Sequence, residues 1–192
     1  MRKYLYMINF VLERVELEPN DMLDTSKVFG APVFPKDFMN KHRLNEDYFF
    51  AQINLDELKE YDTPLPKTGM LYFFLRWKTF NIKPIVIYSN EELYEVMDDV
   101  NEVFGELDFK DALYMKFCSQ GKSGYLLDEF DQEVPEADRD DYIVLLKVDP
   151  LNVLASDFPI FANPDDEIYF VISKEDLEAN NFKKVKLFFH GS

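Results

Sequence analysis

Apolar residues along this chain come in short runs of four to eight positions bounded by Pro, Gly, Asn and Asp, a spacing that favours strands over long helices. Met70–Trp77 is the strongest run: largely apolar on both faces and too short for a typical helix, it predicts a strand buried between two layers. Tyr48–Ile53 predicts an aromatic strand ending at Asn54, which can cap a brief helix over Leu55–Glu60. Further strands are predicted at Val11–Leu17, Ile85–Tyr88 with Pro84 at its start, Leu113–Cys118, Tyr142–Val148, Ile168–Ile172 and Lys184–Phe189. Helical signals are fewer. Ser89 and Glu92 form a capping box, followed by Leu93, Val96, Met97, Val100, Val103 and Phe104 at helical spacing up to Gly105. Ser173–Asp176 is a second cap of the same kind, opening a short helix. Runs of strands with few, short helices define an α+β class with a largely antiparallel sheet.

Between these elements, Ser26–Pro35 holds Pro32 and Pro35 with Gly30, and reads as a rigid extended loop packed by Phe29, Val33 and Phe34. Ser119–Asp140 reads mostly as loop, with Tyr125, Leu126, Leu127 and Phe130 plugging the core. Two places look alike. Phe50–Leu55, Leu65-Pro66 and Gly69–Phe74 parallel Leu145–Pro150, Pro164 and Glu167–Val171, which suggests a duplicated supersecondary unit and two similar β-rich halves packed as one.

The same residues carry a family resemblance. Phe29–Pro35, Phe50–Leu55, Leu65–Phe74, Val86–Tyr88 and Ile168–Leu177 with Asn181-Phe182 resemble, in this order, the YwqG-like family of bacterial domains. The chain departs from it at Lys147, where the family usually has glutamine, and at Asn163–Glu167, where it has a Trp-Gly-Asp turn. The resemblance implies a mixed α+β fold over a single domain, 1–192, and supplies no catalytic residues.

The length of 192 residues fits one core. A lone Cys118 excludes an internal disulfide and a cysteine-rich metal site. The apolar start, Leu5–Leu12, is interrupted by Asn9 and runs into Glu13, Arg14 and Glu16 with no small-residue cleavage site, so the expectation is a cytoplasmic protein without a leader. The net charge of −16 argues against nucleic acid and anionic membrane as partners, since both need clustered Lys and Arg. Its distribution is uneven. Glu91–Asp108 carries eight acids and no base, and Asp128–Asp141 eight acids and Arg139 alone; subtracting these 16 acids and one base from 37 and 21 leaves 21 acids against 20 bases.

Candidate chemistry is sparse. Gly121-Lys122-Ser123 matches the end of a phosphate-cradling loop, but Lys116 stands where the motif needs its first Gly. Cys118 has no nearby His in sequence, with His42 and His190 both distant. The acidic loops lack the ligand spacing of a Ca²⁺ loop, and no cofactor is implied. What remains is the first acidic window, which a helix would turn into one charged face with like-charge i,i+4 pairs costing about 0.2–0.5 kcal/mol each. Sequence reading therefore favours a non-enzymatic binding protein that docks a basic protein partner, inhibitor- or immunity-like, through Glu91, Glu95, Asp98, Asp99 and Glu102, with Asp138, Asp140 and Asp141 in support. The alternative is a small-molecule or cation-dependent enzyme with a pocket near the proline loop and Gln52.

Overall fold

The computed structural model describes residues 7–14, 23–44, 47–78, 81–96, 112–120, 123–129, 142–149 and 167–190. In chain order the strands are β1 (Ile8–Glu13), β2 (Lys27–Val28), β3 (Val33–Pro35), β4 (Tyr48–Asn54), β5 (Met70–Lys78), β6 (Asn81–Ser89), β7 (Leu93–Val96), β8 (Leu113–Cys118), β9 (Gly124–Leu126), β10 (Asp128–Glu129), β11 (Tyr142–Val148), β12 (Glu167–Ser173) and β13 (Lys186–His190). Two five-residue helices, α1 (Phe38–His42) and α2 (Lys174–Glu178), are the α-helices among the described residues. The fold is all-β, which corrects the α+β expectation. The α+β reading counted a helix from Ser89 to Gly105 among its few helices, and over Leu93–Val96 the described chain is a strand.

The chain divides into two compact units. A proline-loop unit takes Glu13–Lys59 and Pro66–Met115; a terminal unit takes Met1–Leu12, Glu60–Leu65 and Lys116–Ser192. The proline-loop unit orders its strands β8-β2-β4-β5-β6, taking only Leu113–Met115 of β8, with β3 and β7 forming a separate pair. The terminal unit orders its strands β1-β9-β11-β12-β13, with β10 also on β11. The pairings whose registers are resolved are all antiparallel.

The apolar runs build these sheets as their patterns require. β5 is buried from Met70 to Leu75, consistent with a strand covered on both faces. One cover is a cluster of Phe34, Phe38, Leu44, Phe49, Met70, Tyr72 and Phe74. Phe34 is at its centre, with ring centroids 4.9 Å from Phe38, 5.2 Å from Tyr72 and 5.8 Å from Phe74. Such aromatic pairs contribute about 0.5–1.5 kcal/mol each beyond the area they bury. The Tyr72 hydroxyl donates to the Val33 carbonyl at 2.8 Å, so the one polar atom of that ring is satisfied. Asp47, with its carboxylate fully buried, receives a two-pronged contact from Arg76, whose Nε lies 2.7 Å from Oδ1. That pair holds the chain leaving α1 against β5.

Some elements differ from the sequence expectation. Ser89 ends β6, and Leu93–Val96 is a strand on β3, with Pro35 opposite Leu93 and Val33 opposite Val96. The helical period is overruled because Leu93 can join the Phe34 cluster from an extended chain, and Leu, Tyr and Val tolerate that geometry well. The remainder of the expected helix, Met97–Gly105, lies outside the described residues. The brief helix expected after Asn54 is a 3₁₀ helix over Leu55–Leu58, ending two residues early, and Asn54 caps it as expected by accepting from the Asp56 N–H at 3.0 Å. β6 extends beyond Ile85–Tyr88, and Pro84 lies inside it opposite Leu75; a missing N–H is harmless there because β6 ends the strand order of its sheet. Gly124–Leu126 and Asp128–Glu129 are strands within what read as loop. The second cap is as expected: Ser173 Oγ accepts from the Asp176 N–H at 3.1 Å and opens α2.

Gly30 is required by close approach. Its φ is +70°, and a Cβ there would lie 2.5 Å from the Ala112 Cβ. Gly30→Ala is expected to cost at least about 2 kcal/mol, with part recovered by adding Ala112→Gly, in a double-mutant cycle read by urea unfolding.

Candidate functional site

The densest group of buried polar side chains lies where the turn before β2 meets β4. Gln52 is completely buried, so each polar atom of its amide must find a protein partner. Nε2 donates to the Leu23 and Thr25 carbonyls, both at 2.8 Å, and Oε1 accepts from the Val33 N–H at 3.3 Å. One side chain thereby ties the 23–25 turn, the proline loop and β4 together. Ser26 repeats the device: its Oγ accepts from the Asn54 N–H at 2.9 Å, and its own N–H donates to Glu57 Oε1 at 3.0 Å.

Lys27 lies beside Gln52 in register and is 1 % exposed. Its Nζ donates to the Leu23 carbonyl at 3.2 Å, the same oxygen that Gln52 uses. Burial pushes the ammonium down to about 8, against an opposing pull from the Asp24 charge. Nearby, burial raises the Glu57 carboxyl, offset in part by its hydrogen bond from Ser26. Burial also raises the Tyr72 and Tyr114 hydroxyls. The described bonds of Gln52 and Ser26 close on the protein's own backbone or on Glu57, so this cluster acts as a clasp on the 23–35 segment.

The terminal unit holds the counterpart. Lys147 occupies the position equivalent to Gln52 and is ion-paired with Glu167, with its Nζ 5.4 Å from the Tyr125 ring centroid and 5.3 Å from that of Tyr169. Lys186 lies 4.5 Å over Tyr142.

Of the acidic residues singled out from the sequence, the structure describes Glu91 and the backbone of Glu95. Glu91 is exposed at the bend after β6, its N–H donating to Ser89 Oγ at 3.2 Å and its carboxylate paired with Lys41 of α1. Both partners of that pair are about half exposed, so it contributes little. Glu95 lies in β7 opposite Phe34, not on a helix. Asp98, Asp99, Glu102, Asp138, Asp140 and Asp141 lie outside the described residues. Among the described residues, no three His, Cys, Asp or Glu group to hold a metal ion, and no helix is long and apolar enough to cross a membrane. Sequence reasoning missed Lys27, whose signal was its position beside Val28 and Phe29 in a segment already expected to pack. Gln52 was named from the sequence only as lying near a pocket of the alternative enzyme reading; its place as the one strongly polar residue between Phe50 and Ile53 was the signal for a buried tie.

The fold and this clasp define an all-β chain of two sheet-bearing units, one of them closed around a proline loop. A family model described as a domain of unknown function, DUF1963, matches residues 26–97, which run from the start of the clasp through β7. No curated protein matches the chain.

The charge on Lys27 gives a pH signature. An unfolded lysine titrates near ~10.4, so between about pH 8 and that value the unfolded chain holds a proton the folded chain has released. Stability contributed at this site therefore rises with pH across that window. Relative to Lys27→Met, the wild type is expected to gain about 2–3 kcal/mol between pH 7.5 and 10.5 in urea unfolding; parallel profiles would contradict a buried, desolvated ammonium.

Proposed function

We propose that this is a YwqG-like protein that works by binding, docking a basic protein surface through the acidic chain that begins at Glu91. The supporting observation is one of charge placement. Glu91 and Glu92 are exposed where the chain leaves β6, and eight acids without a compensating base fall between Glu91 and Asp108. Of that charge, Glu91 is partly neutralised by Lys41. Eight acids without a base in one short stretch make a concentrated negative segment, which speeds encounter with a positive partner and sets specificity more than affinity. The consumption of Gln52, Ser26 and Lys27 by backbone ties also favours binding over chemistry at the proline loop.

The reading is tested by exchanging Glu95, Asp98, Asp99 and Glu102 for their amides and comparing affinity capture from the native cell, at low and high salt, with mass-spectrometric identification. Basic proteins held by the wild type at low salt are expected to fall several-fold in the variant, while the unfolding midpoint stays within a few degrees. Unchanged capture would contradict it.

A further inference from the structure

We propose that the chain is two repeats, β1–β7 and β8–β13, that have exchanged their first strands. The repeats match at the level of single residues. In the proline-loop unit, adjacent strands place Tyr114, Lys27, Gln52, Tyr72 and Ile87 side by side in register. In the terminal unit the corresponding row is Asn9, Tyr125, Lys147, Tyr169 and Phe188. β4 against β5 has a register shift between Phe49 and Ala51, and β11 against β12 has one between Val144 and Leu146. Counted from Gln52 and Lys147, both irregularities fall at the same position. The residue after β2, Phe29, has φ 60°, and the residue after β9, Leu127, has φ 57°. Neither is glycine, so each left-handed residue is an uncommon feature, and two at equivalent places are a strong shared mark. Unrelated sheets would match in one such detail by chance; row, bulge and left-handed residue together point to duplication.

Chain order then reveals the exchange. The row begins with Asn9 of β1 in the terminal unit and with Tyr114 of β8 in the proline-loop unit. β1 precedes the strands of the first repeat, yet pairs with β9 of the second; β8 precedes the strands of the second repeat, yet pairs with β2 of the first. The unit boundaries follow this pairing in part: Met1–Leu12 falls with Lys116–Ser192, and Leu113–Met115, the half of β8 that pairs β2, falls with Glu13–Lys59, while Lys116–Cys118 falls with the terminal unit. The edges of β2 and β9 are thus equivalent strand-accepting slots, each filled from the other repeat, which is the arrangement of a domain-swapped pair of copies joined into one chain. This rests on strand pairing alone and is independent of the proposed binding role.

The test uses the full chain with a specific protease site placed between residues 97 and 111. After cleavage of the folded protein, the two fragments are expected to co-elute at nanomolar concentration and to unfold in one transition, because each holds a strand of the other's sheet. Fragments that separate in native buffer would overturn the exchange. Slot equivalence is tested in the uncut chain by interchanging the sequences of residues 8–13 and 113–118, against a control with both segments scrambled. The interchanged protein is expected to keep a cooperative transition that the scrambled control loses; identical behaviour of the two would overturn the equivalence.

Discussion

A primary amide with no access to water must be satisfied by the protein around it, and Gln52 organises the proline-loop unit through that requirement. Its two donors fix the Leu23 and Thr25 carbonyls and its acceptor fixes the Val33 N–H. Val33 in turn receives the Tyr72 hydroxyl on its carbonyl, and the next residue, Phe34, places its ring among Phe38, Phe49, Tyr72 and Phe74. The aromatic cover of β4 and β5 therefore depends on a polar tie. Leaving three backbone groups unpaired in that interior would cost several kcal/mol, more than any single ring contact supplies. At the equivalent position of the terminal unit the amide is replaced by Lys147, and the demand for a partner is met differently, by the Glu167 carboxylate and two tyrosine rings.

Much of this was legible in the residues. Runs apolar on both faces, such as Met70–Leu75 and Ile143–Leu146, had no stable alternative to a buried strand, and Ser173 had the right residue three positions on to cap a helix. Gln52 was named in the sequence only as a neighbour of an expected pocket; its role as a buried tie comes from the structure. What misled was Ser89–Val96. Its spacing satisfied a helix as well as a strand, and only the distant β3 and the Phe34 cluster decide between them. β9 was hidden for a related reason: Gly124 looks like a loop residue, but a Cβ there would meet the Lys147 carbonyl at 2.2 Å and the Phe10 ring at 2.4 Å, so glycine is what lets the strands close. The similarity of Phe50–Leu55 to Leu145–Pro150 was visible as a pattern, whereas the exchange of β1 and β8 is a property of pairing and leaves no mark on local sequence.

Charge and architecture divide the molecule's roles. The buried lysine and glutamine are committed to internal ties at a desolvation cost, and burial pushes the Lys27 ammonium down accordingly. The uncompensated charge is carried elsewhere in the sequence, in Glu91–Asp108 and Asp128–Asp141.

The exchange of strands and the organising role of Gln52 meet in one measurement: amide hydrogen exchange, read by mass spectrometry, on the full chain carrying Gln52→Ala. If Gln52 holds together a unit that includes β8 and excludes β1, protection is expected to fall across residues 23–58, 66–78 and 112–115 while residues 8–12 stay as protected as β9, β11 and β12. Loss of protection in β1 with β8 unaffected would contradict it.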